Sequence, residues 1–269
     1  VRRRQTLLGP LIFTVVVCSV LTLWVGTAAG RPDDVRLQPL PASFTKYLAK
    51  GEALYREWFR TRRDNDGRLS DAPHGFLSTV SHKQLRNDWC GPATMAIIDH
   101  YLRGATKHWS QQRWSGYRYD VNRNGQIDPA ERLWTDAVGA YPAMMAVGLK
   151  RITGREYACL YFPSLSGKTR LAHLMNKTEY AIGKRRRPVA LSARIQPSAW
   201  TRYNYYHAGH IMCGRGFDWR KTSFPIYVDD PYPENAAPPL GRGSGGGKTF
   251  GKRVYYAPRI ADTMYYIVY

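Results

Sequence analysis

Cys90 stands directly before Gly91-Pro92-Ala93-Thr94-Met95-Ala96-Ile97-Ile98-Asp99-His100-Tyr101-Leu102. Ala93, Ile97 and Tyr101 fall on one helical face and Thr94, Ile98 and Leu102 beside them. Pro92 suits a first helical turn, where its missing N–H costs nothing. The pattern predicts a helix over 90–102 with the thiol at its N-terminus. Unpaired backbone N–H groups and the helix dipole favour an anion there, so the thiol pKa should fall and the thiolate fraction rise. Six residues upstream, the Gln84 amide is a candidate donor to a developing oxyanion, beside the backbone N–H of Cys90. Acyl transfer needs such a pair. A small buried cysteine at a helix start fits the same stretch, because most cysteines are not nucleophiles. Residues further along decide between the two.

The spacing Gln84-x5-Cys90, followed by Gly-Pro-Ala-Thr and an apolar helix, resembles papain-like cysteine peptidases, most closely the bacteriocin leader-processing (double-glycine) peptidase-like domains. The resemblance covers residues 80–235. It implies a fixed order: glutamine, cysteine, a histidine opening a strand, then Asp-Pro ending the next strand. Gly209-His210-Ile211-Met212-Cys213-Gly214 looks like the histidine strand, Val228-Asp229-Asp230-Pro231 like the acid, and Arg187-Pro188-Val189 like the strand before them. On that resemblance Cys90 attacks a carbonyl as thiolate, His210 takes and returns the proton, and Asp230 holds the imidazole tautomer. Asp229 is the alternative orienter. Neighbours in a strand point to opposite faces, so only one reaches the ring, and the family's Asp-Pro pattern favours Asp230. His207-x2-His210-x2-Cys213 can be written as a metal motif, but the same alternation puts His210 on the face opposite His207 and Cys213. His207 therefore reads as a loop residue.

Asp120-Val121-Asn122-Arg123-Asn124-Gly125-Gln126-Ile127-Asp128-Pro129-Ala130-Glu131 is the most specific local pattern in the chain. It matches an EF-hand calcium loop. Asp120, Asn122 and Asn124 offer side-chain oxygens, Gly125 makes the sharp turn, Gln126 offers its carbonyl, Asp128 acts through water and Glu131 is the bidentate ligand. Only Asp120, Asp128 and Glu131 carry charge and the hand has no complete partner, so weak, structural Ca2+ binding is expected. The alternative is a polar turn. Asp64-Asn65-Asp66-Gly67 lacks the flanking ligands and is read as a turn.

These candidates need elements to hold them. An N-terminal helix is expected over 44–60, a helix continuing from Pro129 to Leu149 with a break at Pro142, a strand within 156–162 and a helix over 166–183. Strands are expected at 188–195, 210–214, 224–231 and 263–269. Helices first and short strands after indicate an α+β fold of the papain-like kind, its nucleophile helix packed on an antiparallel sheet. Gly241 to Thr249 ends in Gly-Lys-Thr but lacks the glycine and the strand-to-helix context of a phosphate loop, so no nucleotide site is read there. Asn176-Lys177-Thr178 is formally a glycosylation sequon.

Residues 1–29 join Arg2-Arg3-Arg4 to an apolar run and small residues, the pattern of a signal peptide or N-terminal anchor; 30–43 reads as a linker and 44–269 as the domain. The body is expected to be exported. Net charge is +20, and +17 without the three arginines of 1–29. That draws a protein to anionic cell-surface polymers. Nucleic acid is not expected as a partner; a peptide or protein substrate and a monomer are. Lys184-Arg185-Arg186-Arg187 reads as a solvated turn. Cys159 and Cys213 are left as a conceivable disulfide, on arithmetic alone. The functional expectation is an exported, calcium-stabilised cysteine peptidase or related amide-bond acyl transferase. The alternatives are a non-catalytic calcium-dependent binding module on the same fold and a cell-wall peptide hydrolase.

Overall fold

The computed structural model describes residues 40–64, 73–86, 88–136, 139–196, 199–200, 209–232 and 251–269. Elements follow in chain order: α1 (Ala42–Asp64), β1 (His74–Phe76), α2 (Cys90–Arg103), α3 (Gln111–Ser115), a 3-10 turn (Pro129–Glu131), β2 (Trp134–Thr135), β3 (Gly139–Ala140) and α4 (Pro142–Thr153). Then come β4 (Cys159–Tyr161), α5 (Gly167–Thr178), a π segment (Glu179–Lys184), β5 (Val189–Arg194), β6 (Gly209–Asp218), β7 (Pro225–Asp230), β8 (Gly251–Tyr256), α6 (Ala257–Ile260), a 3-10 turn (Ala261–Thr263) and β9 (Met264–Val268).

The main sheet runs β4-β9-β5-β6-β7-β8, with β1 also paired to β6, and every pair is antiparallel. Period-two alternation makes two cores from it. Ile211, Cys213, Ala190 and Val268 pack with α2 and α4, while Met212, Leu191, Val228 and Ile267 pack with α5, the π segment and α6. The fold is α+β, with the helix that begins at Cys90 laid on the antiparallel sheet. α2 ends where Gly104 takes a φ of 82°.

Three expectations need correction. The helix from Pro129 to Leu149 does not form as one element: a single 3-10 turn is followed by the β2–β3 hairpin, and helix resumes only at Pro142. The physical reason is that Leu133 and Ala140 are both buried, and Leu133 N and O bond across to Tyr117 O and Tyr141 N instead of up a helix. Cys159 and Cys213 are both free thiols. They lie on β4 and β6, with β9 and β5 between them, about 14 Å apart at strand spacing and beyond disulfide reach. Within the basic run, Lys184, Arg185 and Arg186 are exposed, but Arg187 is buried, hydrogen-bonded to Glu156 O and stacked over the Tyr157 ring.

Lys177 and Thr178 of the sequon are buried, so it is not a surface loop. The expected signal, linker, Asn65–Gly67 turn, His207 and glycine-rich connection lie outside the described residues, apart from the linker's last four residues. Among the described residues, no helix is long and apolar enough to cross a membrane.

Candidate active site

α2 begins at Cys90, which is 3% exposed, at the place the apolar periodicity put it. Trp89 precedes the helix without a side-chain cap bond, so the first-turn N–H groups are not spent on that residue's side chain. Gly91 is required by packing: a Cβ there would meet the Cβ of Ala140 at 2.1 Å. The β2–β3 hairpin thus presses directly on the start of the nucleophile helix. The hairpin also clamps the preceding loop. Trp134 Nε1 donates to Asp88 O at 3.1 Å, and the Arg86 guanidinium stacks over both Trp89 and Trp134.

A buried bond ties the helix to the histidine strand. Thr94, one turn beyond Cys90, donates from Oγ1 to Ile211 O at 3.0 Å, and Ile211 adjoins His210. That tie fixes the distance between the thiol and the ring. His210 is fully buried, its side chain hydrogen-bonded to Asp230 and electrostatically coupled to Cys90. Nε2 and Asp230 Oδ1 are 2.9 Å apart. Asp230 Oδ1 also accepts from Tyr232 N at 2.9 Å, and Oδ2 faces Arg253 Nη1 at 3.4 Å. Tyr232 packs edge-on to the imidazole, 5.7 Å between centroids. Burial, and then the Asp230 charge, push its hydroxyl up to about 12.

Asp229 and Asp230 part company as a strand requires. Asp229 accepts from Thr79 Oγ1 and from Ser81 Oγ at 2.7 Å, and faces Arg215 at 3.8 Å. Among the hydrogen bonds and ion pairs of its carboxylate are these three, while His210 is bonded to Asp230. Gln84 is buried, and its backbone N–H donates to Pro231 O at 2.9 Å, which pins it beside the residue that follows Asp230. Its side-chain Nε2 donates to Arg86 O at 3.0 Å.

Electrostatics favour a charged ring. Burial alone pushes the His210 pKa down, but the Asp230 charge and hydrogen bond, followed by the influence of Cys90, outweigh it and raise it to about 9. The ring is then an imidazolium at neutral pH, flanked by carboxylate and sulfur. The other thiols sit differently: burial raises both Cys159 and Cys213 well above the ordinary range. Neither has the environment of a nucleophile.

With this geometry, comparison with known proteins is informative. The Peptidase C39 like family matches residues 77–240, well over half of the chain. The chain belongs to that family. The match spans Gln84, Cys90, His210 and Asp230. Among solved structures, the C39-like chain is similar to UfSP from C. elegans, with 11% identity and a TM-score of 0.38, over 76% of this chain and 35% of that one. It is also similar to digestive procathepsin L 3 of the Tenebrio molitor larval midgut, with 10% identity and a TM-score of 0.42, over 75% of this chain and 70% of that one. The chain thus spans about a third of the length of the UfSP chain. No curated protein matches. The family assignment rests on the match over 77–240.

Sequence reasoning missed Arg253, Thr94, Tyr232 and the Thr79–Ser81 pair. Arg253 carried a misleading signal: in β8, Gly251, Arg253 and Tyr255 are buried while Lys252, Val254 and Tyr256 are exposed, so the cation points inward and valine outward.

The calcium-type loop folds as a cascade of side-chain turns. Asp120 Oδ2 accepts from Gly125 N at 2.8 Å, Asn122 Oδ1 from Asn124 N at 2.9 Å and Asn124 Oδ1 from Gln126 N at 2.8 Å, while Gly125 takes a φ of 83°. Glu131 is buried, its Oε1 accepting from Val121 N at 2.8 Å and Asn122 N at 3.1 Å, its Oε2 from Asp128 N at 3.1 Å. The side-chain oxygens at loop positions one, three and five thus accept from the loop's own backbone amides, as does Glu131, and no full helix leaves the loop.

Proposed function

We propose that this C39-like chain is a cysteine peptidase or related amide-bond acyl transferase working through Cys90, His210 and Asp230. The observation that carries the reading is the buried imidazole, hydrogen-bonded to Asp230 and electrostatically coupled to Cys90 at the start of α2. In this scheme the Cys90 sulfur attacks the scissile carbonyl carbon, and a C–S bond forms as the carbonyl electrons move to oxygen. Collapse breaks the amide C–N bond, and His210 gives its proton to the leaving nitrogen. The neutral imidazole then takes a proton from water, whose oxygen displaces the thiolate from the thioester; an amine in place of water gives transfer instead. Asp230 keeps Nε2 protonated so that the other ring nitrogen faces sulfur. Arg253 positions Asp230. Gln84 is the candidate oxyanion donor, a role for which its amide must turn from Arg86 O.

The substrate class is a peptide or protein, including cell-wall peptides, to which the +20 charge would attract the protein. Export is inferred from residues 1–29. Calcium is assigned to Asp120, Asn122, Asn124, Gln126, Asp128 and Glu131 as a structural ion, with Glu131 turning from the amides it caps. The ion would supply local order, and no step of the chemistry passes through the loop.

The test is digestion of a mixed peptide library, with new termini identified by mass spectrometry. Wild type should generate a consistent set of cleavages, and Cys90→Ala none while retaining its circular dichroism. Cleavage surviving in Cys90→Ala sinks the assignment. A wild type that turns over nothing while binding peptides in a calcium-dependent way is the binding-module outcome.

A further inference from the structure

We propose that His82, His100 and His108 form a transition-metal site of the zinc class, separate from the candidate active site. The ligating nitrogens of the three imidazoles all lie within 4.8 Å of one another, and His82 Nε2 is 2.8 Å from His100 Nδ1. A tetrahedral zinc at 2.0–2.1 Å from each nitrogen needs separations of about 3.3 Å, so His100 and His108, stacked with centroids 4.4 Å apart, turn toward a shared point when the ion binds. All three rings are partly exposed, which leaves a way in and a fourth position for water or an anion. The set is all imidazole. Hard cations that take oxygen ligands do not fit it, whereas Zn2+, Cu2+ and Ni2+ do.

What distinguishes this cluster from three histidines that happen to pack is that the backbone beneath each is fixed by side-chain bonds. His82 lies on the segment leading to Cys90. Next to it, the half-buried to buried Gln111 amide spans two backbone groups, donating to Lys83 O at 2.7 Å and accepting from Leu85 N at 3.0 Å. His100 is on α2. His108 is in the loop after α2, and fully buried Asp99 holds that loop to the helix by accepting from Trp109 N at 2.7 Å and Arg103 Nη2 at 2.6 Å. His108 also has an outer partner. Its Nδ1 lies 3.3 Å from Gly104 O, and donation there selects the tautomer whose Nε2 lone pair is free to ligate.

The His82–His100 contact needs one N–H between the two nitrogens. On metal binding, the donor ring takes its other tautomer, carrying that proton on the nitrogen facing away. The neutral charge of both rings is unchanged. Ten residues separate His100 from Cys90 on one helix, about 15 Å along its axis, too far for the ion to touch the reacting atoms. The ion would instead clamp the 82–85 segment, which contains Gln84, to α2.

The test uses the full chain with Cys90→Ala, so that the thiol and His210 cannot chelate, and with calcium in excess to occupy any oxygen site. Zinc is titrated against a chromophoric chelator. One ion per chain is expected, and Co2+ in its place should show the visible absorption of nitrogen-ligated tetrahedral cobalt. Adding His108→Ala should lower zinc affinity by more than about tenfold, the lower end of what removing even an outer partner produces. His108→Gln, closer in size, should do the same, with circular dichroism showing both variants folded. Absence of zinc binding by the folded chain, or equal affinity after His108→Ala and His100→Ala, overturns the site. Failure here leaves the Cys90 chemistry standing, and the reverse also holds.

Discussion

Asp230→Asn separates charge from shape at the centre of the proposed triad. The amide oxygen can still accept from His210 Nε2, but the negative charge is gone. In the wild type, burial pushes the ring down while Asp230 and then Cys90 lift it from 6.5 to about 9. At 1.36 kcal/mol per pH unit that rise corresponds to about 3 kcal/mol. The sign follows from the direction: the folded pKa is raised, so the stabilisation is complete below about 6.5 and is lost as pH climbs through about 9. With the carboxylate neutralised, burial opposes Cys90 alone, and the alkaline limb of kcat/KM should move down by at least about one pH unit. The assay is the pH profile of cleavage of any peptide the wild type accepts, with melting temperatures at both ends of the window. The wild type should lose stability between pH 6.5 and 9 and the variant lose less of it. Arg253, 3.4 Å from Asp230 Oδ2, loses a buried counter-charge, which costs about 3–5 kcal/mol, so folding is checked first. An alkaline limb that stays near pH 9 in folded Asp230→Asn refutes the reasoning.

Other expectations follow from single contacts. Thr94→Val removes the bond to Ile211 O and leaves a buried carbonyl short of a donor, which should destabilise by about 1–3 kcal/mol and lower kcat more than it raises KM; denaturant melts and Michaelis profiles check both. Gly91→Ala forces its Cβ against Ala140 and should cost about 1–3 kcal/mol by overpacking, read as a lower melting temperature. Calcium at about 100 times its dissociation constant should stabilise the protein by about 2.7 kcal/mol, and Glu131→Gln should abolish that gain in thermal melts with and without chelator. A wild-type melting temperature indifferent to calcium makes the loop a polar turn.

The helix that presents Cys90 was legible because its signals are local: apolar spacing and Pro92 at the first turn. The strand alternation that separates Asp229 from Asp230 was legible for the same reason, since period two needs no knowledge of partners. Arg253 was hidden because its inward direction depends on β8 pairing with β7, where Val228 lies opposite it and Asp230 waits two residues on. The buried Asp230 carboxylate draws Arg253 inward and leaves Val254 exposed. The helix expected from Pro129 failed for a related reason. Leu133 and Ala140 have helical spacing, but Leu133 bonds to Tyr117 and Tyr141, partners set by tertiary contacts. The histidine cluster joins His82 to His100 and His108, 18 and 26 residues further on, a spacing no short motif contains.

The most direct test of the central claim is the rate of iodoacetamide alkylation at each cysteine of the folded protein, followed by mass spectrometry from pH 5 to 10. If Cys90 is held as thiolate by an imidazolium, it reacts faster than Cys159 and Cys213 at every pH and keeps its reactivity in the acid half of the range. In His210→Ala that acid-range reactivity should vanish. A Cys90 that reacts no faster than Cys159 or Cys213, or whose profile is the same with and without His210, contradicts the account.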